Sequence, residues 1–195
     1  MKTDPFTGLI IVMTITNHQY DEAIRTCREI FIKKTTDYGT SWRVLRTISI
    51  VDQIYIKAKR IRTIQENVKQ LVGDNIQSEF IGIVNYAIIG LIQSVLATDE
   101  IEDLPVNVVT ELYNEKITEA KALMENKNHD YGEAWRDLSQ ESFTDLILSK
   151  LLRIKQILSN NGETLISEGI NANYLDIMNY AVFALILIEE GKHTA

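Results

Sequence analysis

The sequence predicts an all-α protein, a helical bundle of two tandem three-helix repeats packed about a pseudo-twofold axis. Three observations predict it. The 195 residues include only two prolines and nine glycines, so long stretches are free to be helical. Apolar residues recur at helical rather than strand spacing. Most telling, the chain repeats itself: Asp37-Tyr38-Gly39 returns 93 residues later as Asp130-Tyr131-Gly132. The same offset carries Tyr20 to Tyr113, Lys34 to Lys127, Trp42-Arg43 to Trp135-Arg136, Lys57 to Lys150 and Arg60-Ile61 to Arg153-Ile154. After a one-residue insertion the offset is 94, taking Asn85-Tyr86-Ala87 to Asn179-Tyr180-Ala181.

Residues 1–16 match nothing in the second copy and read as an N-terminal extension, either an added strand, a flexible tail or the product of an upstream start. Repeat 1 then covers 17–97. Its first helix runs over 17–34, where Tyr20, Ile24, Cys27 and Phe31 fall on one face; its counterpart covers 107–127. Gly39 and Gly132 punctuate a turn that also holds Asp37 and Asp130. The second helix spans 50–66 and 143–159. Ser49 with Asp52, and Ser142 with Asp145, have capping-box spacing at its start. The third helix spans 77–97 and 172–190 and is apolar almost all round in its second half, as a central bundle helix is. An acidic linker over 98–106, ending with Pro105 near a new helix start, leads to repeat 2 at 107–190.

Composition narrows the class. Apolar residues are 45% and charged residues 24%, an ordinary globular balance. A single cysteine, Cys27, excludes an internal disulfide framework and fits a reducing, cytoplasmic setting. Three scattered histidines build no recognisable zinc motif. The apolar run 9–15 is far short of a membrane span and lacks the flanks of a signal peptide. Charge divides unevenly. Residues 1–98 hold 12 Lys+Arg against 9 Asp+Glu, whereas 99–195 hold 8 against 18. The basic excess around Arg43, Arg46, Lys57, Lys59, Arg60 and Arg62 suits either a face that complements the acidic repeat or an anionic ligand. With a net charge of −7, wrapping of duplex nucleic acid is disfavoured.

The duplication also selects candidate functional residues. Lys57 and Lys150 sit on the stripe that should face the core, where an ammonium must reach solvent or meet an anion. Arg60 and Arg153 follow three residues on, on adjoining surface. Lys34 and Lys127, Tyr38 and Tyr131, Trp42 and Trp135, and Asn85 and Asn179 recur with them as ligand- or phosphate-binding candidates. The tryptophans suit either loop anchors or stacking platforms. The acids within reach are Asp37, Asp130, Glu79 and Asp176, the last standing where the first repeat has Gly82. They read either as oxygen ligands for Mg2+ or as partners in a salt-bridge network.

The pattern Lys-x-x-Asp-Tyr-Gly, Trp-Arg, Lys-x-x-Arg-Ile, an acid and Asn-Tyr-Ala resembles the nucleotide modification associated domain 1 family, in the tandem form of bacterial members. The resemblance covers both repeats and implies a role near nucleotide metabolism. The architecture is also similar to all-α nucleoside triphosphate pyrophosphohydrolases of the MazG and dimeric dUTPase type, although their Glu-Glu-x-x-Glu helix is missing here; the one adjacent pair is Glu189-Glu190. Two expectations follow. One is an Mg2+-dependent nucleotide phosphohydrolase or related nucleotide-processing enzyme, with the repeated cations neutralising phosphates. The other is a non-catalytic helical module that binds a nucleotide or a protein, its polar residues forming a structural network. A homo-oligomer is compatible with both.

Overall fold

The computed structural model describes residues 5–66, 73, 75–96, 103–164 and 168–195, with side chains from residue 15 onward. Among these, six α-helices form: α1 (Pro5–Tyr38), α2 (Thr47–Glu66), α3 (Ile76–Gln93), α4 (Val106–Tyr131), α5 (Gln140–Ser159) and α6 (Ile170–Glu189). Short 3-10 turns, Ser41–Val44 and Ala134–Asp137, follow α1 and α4. Each repeat is therefore three helices, and no strand occurs among the described residues.

The helices meet in like pairs: α1 packs on α4, α2 on α5, and α3 on α6. That is the self-complementary arrangement of an isologous twofold interface, built within one chain. Helices α3 and α6 lie at the centre because they are the most apolar. Ile83, Ile88, Leu91 and Ile92 of α3 are fully buried, as are Ile177, Met178, Ala181 and Leu187 of α6. Each large aliphatic side chain withdrawn from water contributes about 1.5–3 kcal/mol, so this shared layer dominates the stability of both repeats. By length and hydropathy α3 and α6 also reach what a membrane span requires, a property that apolar run length alone did not reveal. Inside the fold, 67% and 78% of those windows are buried.

Polar groups cross the pseudo-axis in matching exchanges. The Tyr20 hydroxyl donates to Asn179 Oδ1 at 2.8 Å, and the Tyr113 hydroxyl donates to Asn85 Oδ1 at 2.8 Å. Each asparagine then donates through Nδ2 to a backbone carbonyl, Asn85 to Cys27 and Asn179 to Ala120. At the rim Lys155 pairs with Asp52 at 2.6 Å, and Arg62 pairs with Asp145.

These contacts correct the capping-box reading. Helix α2 begins at Thr47, two residues before Ser49, and α5 is capped by Ser139, whose Oγ accepts from Ser142 N. Ser49 and Ser142 thus lie inside their helices, and Asp52 and Asp145 turn to cations of the opposite repeat. Residues 5–16 form no added strand, since the backbone of α1 is helical from Pro5 without a break at residue 17. Thr16 is fully buried and accepts from Arg136 Nη2 at 2.6 Å. The first helices also continue four residues past Lys34 and Lys127, so Asp37 and Asp130 belong to their last turns rather than to the glycine turn.

Gly39 and Gly132 end α1 and α4 in the left-handed region, at φ +68° and +61°. Their N–H groups close on Thr35 and Asn128 carbonyls, both at 2.9 Å. Gly39 is constrained a second way, because a Cβ there would stand 2.7 Å from Asp103 Oδ1. That carboxylate accepts from Thr40 N and Oγ1, tying the end of the linker to the turn of repeat 1.

A cavity in the first repeat as candidate functional site

Where α1, the 3-10 turn, α2 and α3 of repeat 1 converge, they enclose a cavity of about 530 Å³. Five of the residues selected by the duplication line it: Lys34, Tyr38, Trp42, Lys57 and Asn85. Its size is that of a small-molecule site, and its mixture of aromatic, aliphatic and a few polar groups is typical of one.

Local structure places each group. Lys34 and Tyr38 are one helical turn apart near the end of α1, so both face the same side. The glycine turn then folds the chain back, and Gln93 Nε2 of α3 donates to the Arg43 and Leu45 carbonyls on either side of the buried Trp42 turn. Tyr86 lies beside Tyr38, and burial, with Tyr86 and Asp37 adding, pushes the Tyr38 phenol up. Gly82 forms part of the floor. A Cβ built there would come within 2.6 Å of Lys57 Cε, so the missing side chain is what lets the lysine lie across α3.

The polar groups divide into used and unused. Lys57 Nζ pairs with Glu79 at 3.1 Å, and Arg60 joins the same carboxylate at 2.6 Å. Asn85 is consumed by the exchange across the axis, which assigns it a structural part. By contrast Lys34 makes no hydrogen bond or ion pair among the described residues. The Trp42 indole Nε1 is buried without a hydrogen-bond partner, although the residue is only 7% exposed. A buried donor left unmade costs about 1–3 kcal/mol, so the site carries an unsatisfied group that a ligand could satisfy.

The matching region of repeat 2 is built differently. Asp176, at the position of Gly82, accepts from Lys127 through Oδ1 and from Lys150 through Oδ2. Burial works against its charge, but the two lysines outweigh it and hold the carboxyl below its ordinary value. Phe183, at the position of Ile89, stacks on Trp135 with centroids 4.2 Å apart and planes 5° apart. Trp135 Nε1 donates to Asn128 Oδ1 at 3.1 Å, and Arg136 lies over the ring. Trp135 is thus a loop anchor. Arg153 and Tyr131 remain on the surface, Tyr131 being 73% exposed.

The four acids considered for Mg2+ do not assemble. Glu79 and Asp176 belong to different repeats and each is already neutralised by two cations. Asp37 is exposed, and Asp130 is exposed beside His129. Among the described residues no three His, Cys, Asp or Glu side chains gather as a metal site requires. A hard divalent ion needs several oxygen ligands together, so these residues do not fit one. Sequence reasoning had no signal for the contribution of Gln53, Ser78 and Ile81 to the cavity lining. Nor could it show the unpaired indole, which depends on how Thr35 and Trp42 pack.

A second cavity, of about 390 Å³, lies between α1, α3 and α6 and is edged by Glu22, Glu189 and Glu190. It collects none of the repeated candidates.

Comparison with known proteins agrees with the duplication. The family described as nucleotide modification associated domain 1 matches residues 34–94 and 127–188, more than half of the chain. Each match opens on the repeated lysine, Lys34 or Lys127, and ends within or just past the third helix, so the first one spans nearly the whole cavity lining. No curated protein and no solved structure gives a match. The chain belongs to the nucleotide modification associated domain 1 family, in two tandem copies.

Proposed function

Starting from that membership, we propose that the protein binds a nucleotide or nucleotide-derived small molecule in the cavity of its first repeat, as a binding module rather than a metal-dependent hydrolase. One observation carries the reading: a cation unpaired among the described residues, a tryptophan whose buried indole N–H has no partner and two tyrosines line a single cavity of ligand size. An ammonium suits phosphate, aromatic faces suit a base, and a buried N–H suits an acceptor on its edge. The phosphohydrolase alternative loses support because the acids it would use are either ion-paired, as Glu79 and Asp176 are, or exposed, as Asp37 and Asp130 are.

The test is a panel of ordinary and modified nucleoside mono-, di- and triphosphates, followed by thermal shift and by Trp42 fluorescence in a Trp135→Phe background. At least one nucleotide should raise the melting temperature and change the emission of Trp42. Lys34→Met should weaken that binding by at least about tenfold, equivalent to about 1.4 kcal/mol, while leaving the unliganded melting temperature in place. A panel with no response removes the proposal. Turnover of a bound nucleotide would restore the enzymatic alternative.

A further inference from the structure

The two repeats differ at three positions that face the same place, and the differences are complementary. In repeat 2 a carboxylate (Asp176) joins the two repeated lysines, a phenyl ring (Phe183) covers the tryptophan, and an amide oxygen (Asn128) accepts from the indole N–H. Repeat 1 has none of the three at these positions, and the carboxylate that meets Lys57, Glu79, is shared with Arg60 rather than with Lys34. Gly82 offers no carboxylate, Ile89 offers no ring, and Thr35 turns its hydroxyl back to the Phe31 carbonyl at 3.0 Å. What remains is the cavity, with Lys34 unpaired among the described residues and Trp42 Nε1 unsatisfied.

We infer that the second repeat is a self-filled copy of the first, so that Asp176, Phe183 and the Asn128 amide mark where the ligand of repeat 1 places an anionic group, a flat ring and a hydrogen-bond acceptor. The inference rests on the binding role proposed above and makes it specific. The anion takes the place over Gly82 that the end of Lys57 now crosses, the Lys57 ammonium swinging from Glu79 to meet it opposite Lys34. The ring lies on Trp42 beside Ile89. The acceptor belongs to the ring edge that meets the indole N–H. These three features in one small molecule describe a nucleoside monophosphate, whose single phosphate takes the position of one carboxylate.

Exchange of the two residues tests this with a gain as well as a loss. Calorimetry on the intact chain would use the ordinary nucleoside 5′-monophosphates and, separately, inorganic phosphate. The parent should bind one monophosphate, more tightly than inorganic phosphate alone, because the ring adds its contact with Trp42. Gly82→Asp should lower that affinity by at least about tenfold, because the new carboxylate takes both lysines. The clash it introduces is with the flexible end of Lys57, which can swing aside. Asp176→Gly should bind a second inorganic phosphate between Lys127 and Lys150, yet still one nucleotide, because Phe183 continues to cover Trp135. No added phosphate in Asp176→Gly, or undiminished binding by Gly82→Asp, overturns the inference.

A crystal structure of ligand-free Gly82→Asp provides a readout that needs no nucleotide and no second variant. The introduced carboxylate should accept from Lys34 and Lys57 and fill the floor of the cavity. A carboxylate turned to solvent refutes the inference whatever the parent binds. A carboxylate seated on both lysines in a protein whose parent binds no nucleotide would uphold the self-filled comparison and refute the functional reading alone.

Discussion

Tyr113→Phe removes one oxygen atom and tests the lock between the repeats. The Tyr113 side chain is fully buried, and its hydroxyl donates to Asn85 Oδ1 at 2.8 Å. Burial pushes the phenol well up, so the group stays a neutral donor at every pH at which the protein is handled. Deletion loses a neutral hydrogen bond and leaves the Asn85 carbonyl oxygen buried without its donor, since Nδ2 is already committed to Cys27 O. The expected cost is about 1–3 kcal/mol. Tyr20→Phe should cost the same within about 0.5 kcal/mol, because it breaks the matching bond to Asn179. The two changes share no hydrogen-bond partner, so together they should cost roughly 2–6 kcal/mol, a large part of a total near 5–15 kcal/mol. Urea unfolding monitored by circular dichroism supplies the numbers, with Tyr131→Phe as an exposed control expected within about 0.5 kcal/mol of the parent. A Tyr113→Phe cost no larger than that control refutes the reasoning. So does an unfolding curve that splits into two transitions, since repeats held by a shared α3–α6 layer should melt as one.

Two further outcomes follow from the same geometry. Asp176 has its folded-state pKa depressed, so its contribution to stability is complete above its unfolded value near 3.8 and is lost as pH falls through the lower folded value. Asp176→Asn should therefore cost about 3 kcal/mol at neutral pH and flatten the acid limb of a stability-against-pH curve; an unchanged acid limb would show that the pair does not govern it. Gly90 lies under the Tyr174 ring, and a Cβ there would approach Tyr174 Cζ to 2.6 Å. Gly90→Ala should lower stability by about 1–3 kcal/mol despite the better helix propensity of alanine, and a rise in melting temperature would show that the ring moves aside freely.

The helical architecture was legible because it rests on periodicity and on a repeat visible by self-alignment. Even there, the starts of α2 and α5 escaped. The Ser-x-x-Asp spacing is a local signal, whereas Asp52 and Asp145 are drawn to Lys155 and Arg62 by the approach of another helix. The candidate site was half legible. Recurrence singled out Lys34, Tyr38, Trp42 and Lys57, and the fold brings them to one cavity. Recurrence also singled out Asn85 and Asn179, which the fold uses to join the halves, because a repeated polar residue looks the same whether it binds a ligand or a neighbouring helix. The replacement of an acid by Gly82 was readable. Its effect was not, since that depends on where the end of Lys57 comes to rest.

The exchange of Tyr20 and Tyr113 with asparagines of the opposite half has a consequence for how such a chain can vary. A single copy with this interface would bury a tyrosine hydroxyl and an asparagine amide with nothing to complete them, so it would have to meet an identical copy in solution. Two identical copies must carry identical sites. Tethering them in one chain replaces that encounter with an effective concentration of roughly millimolar order, and the halves remain together even when their sequences part. One half is then free to accept an aspartate that fills its own recess, while the other keeps its recess open. The covalent link thus works as a licence for asymmetry: a symmetric pair must have both recesses open or both filled, and a joined pair can have one of each.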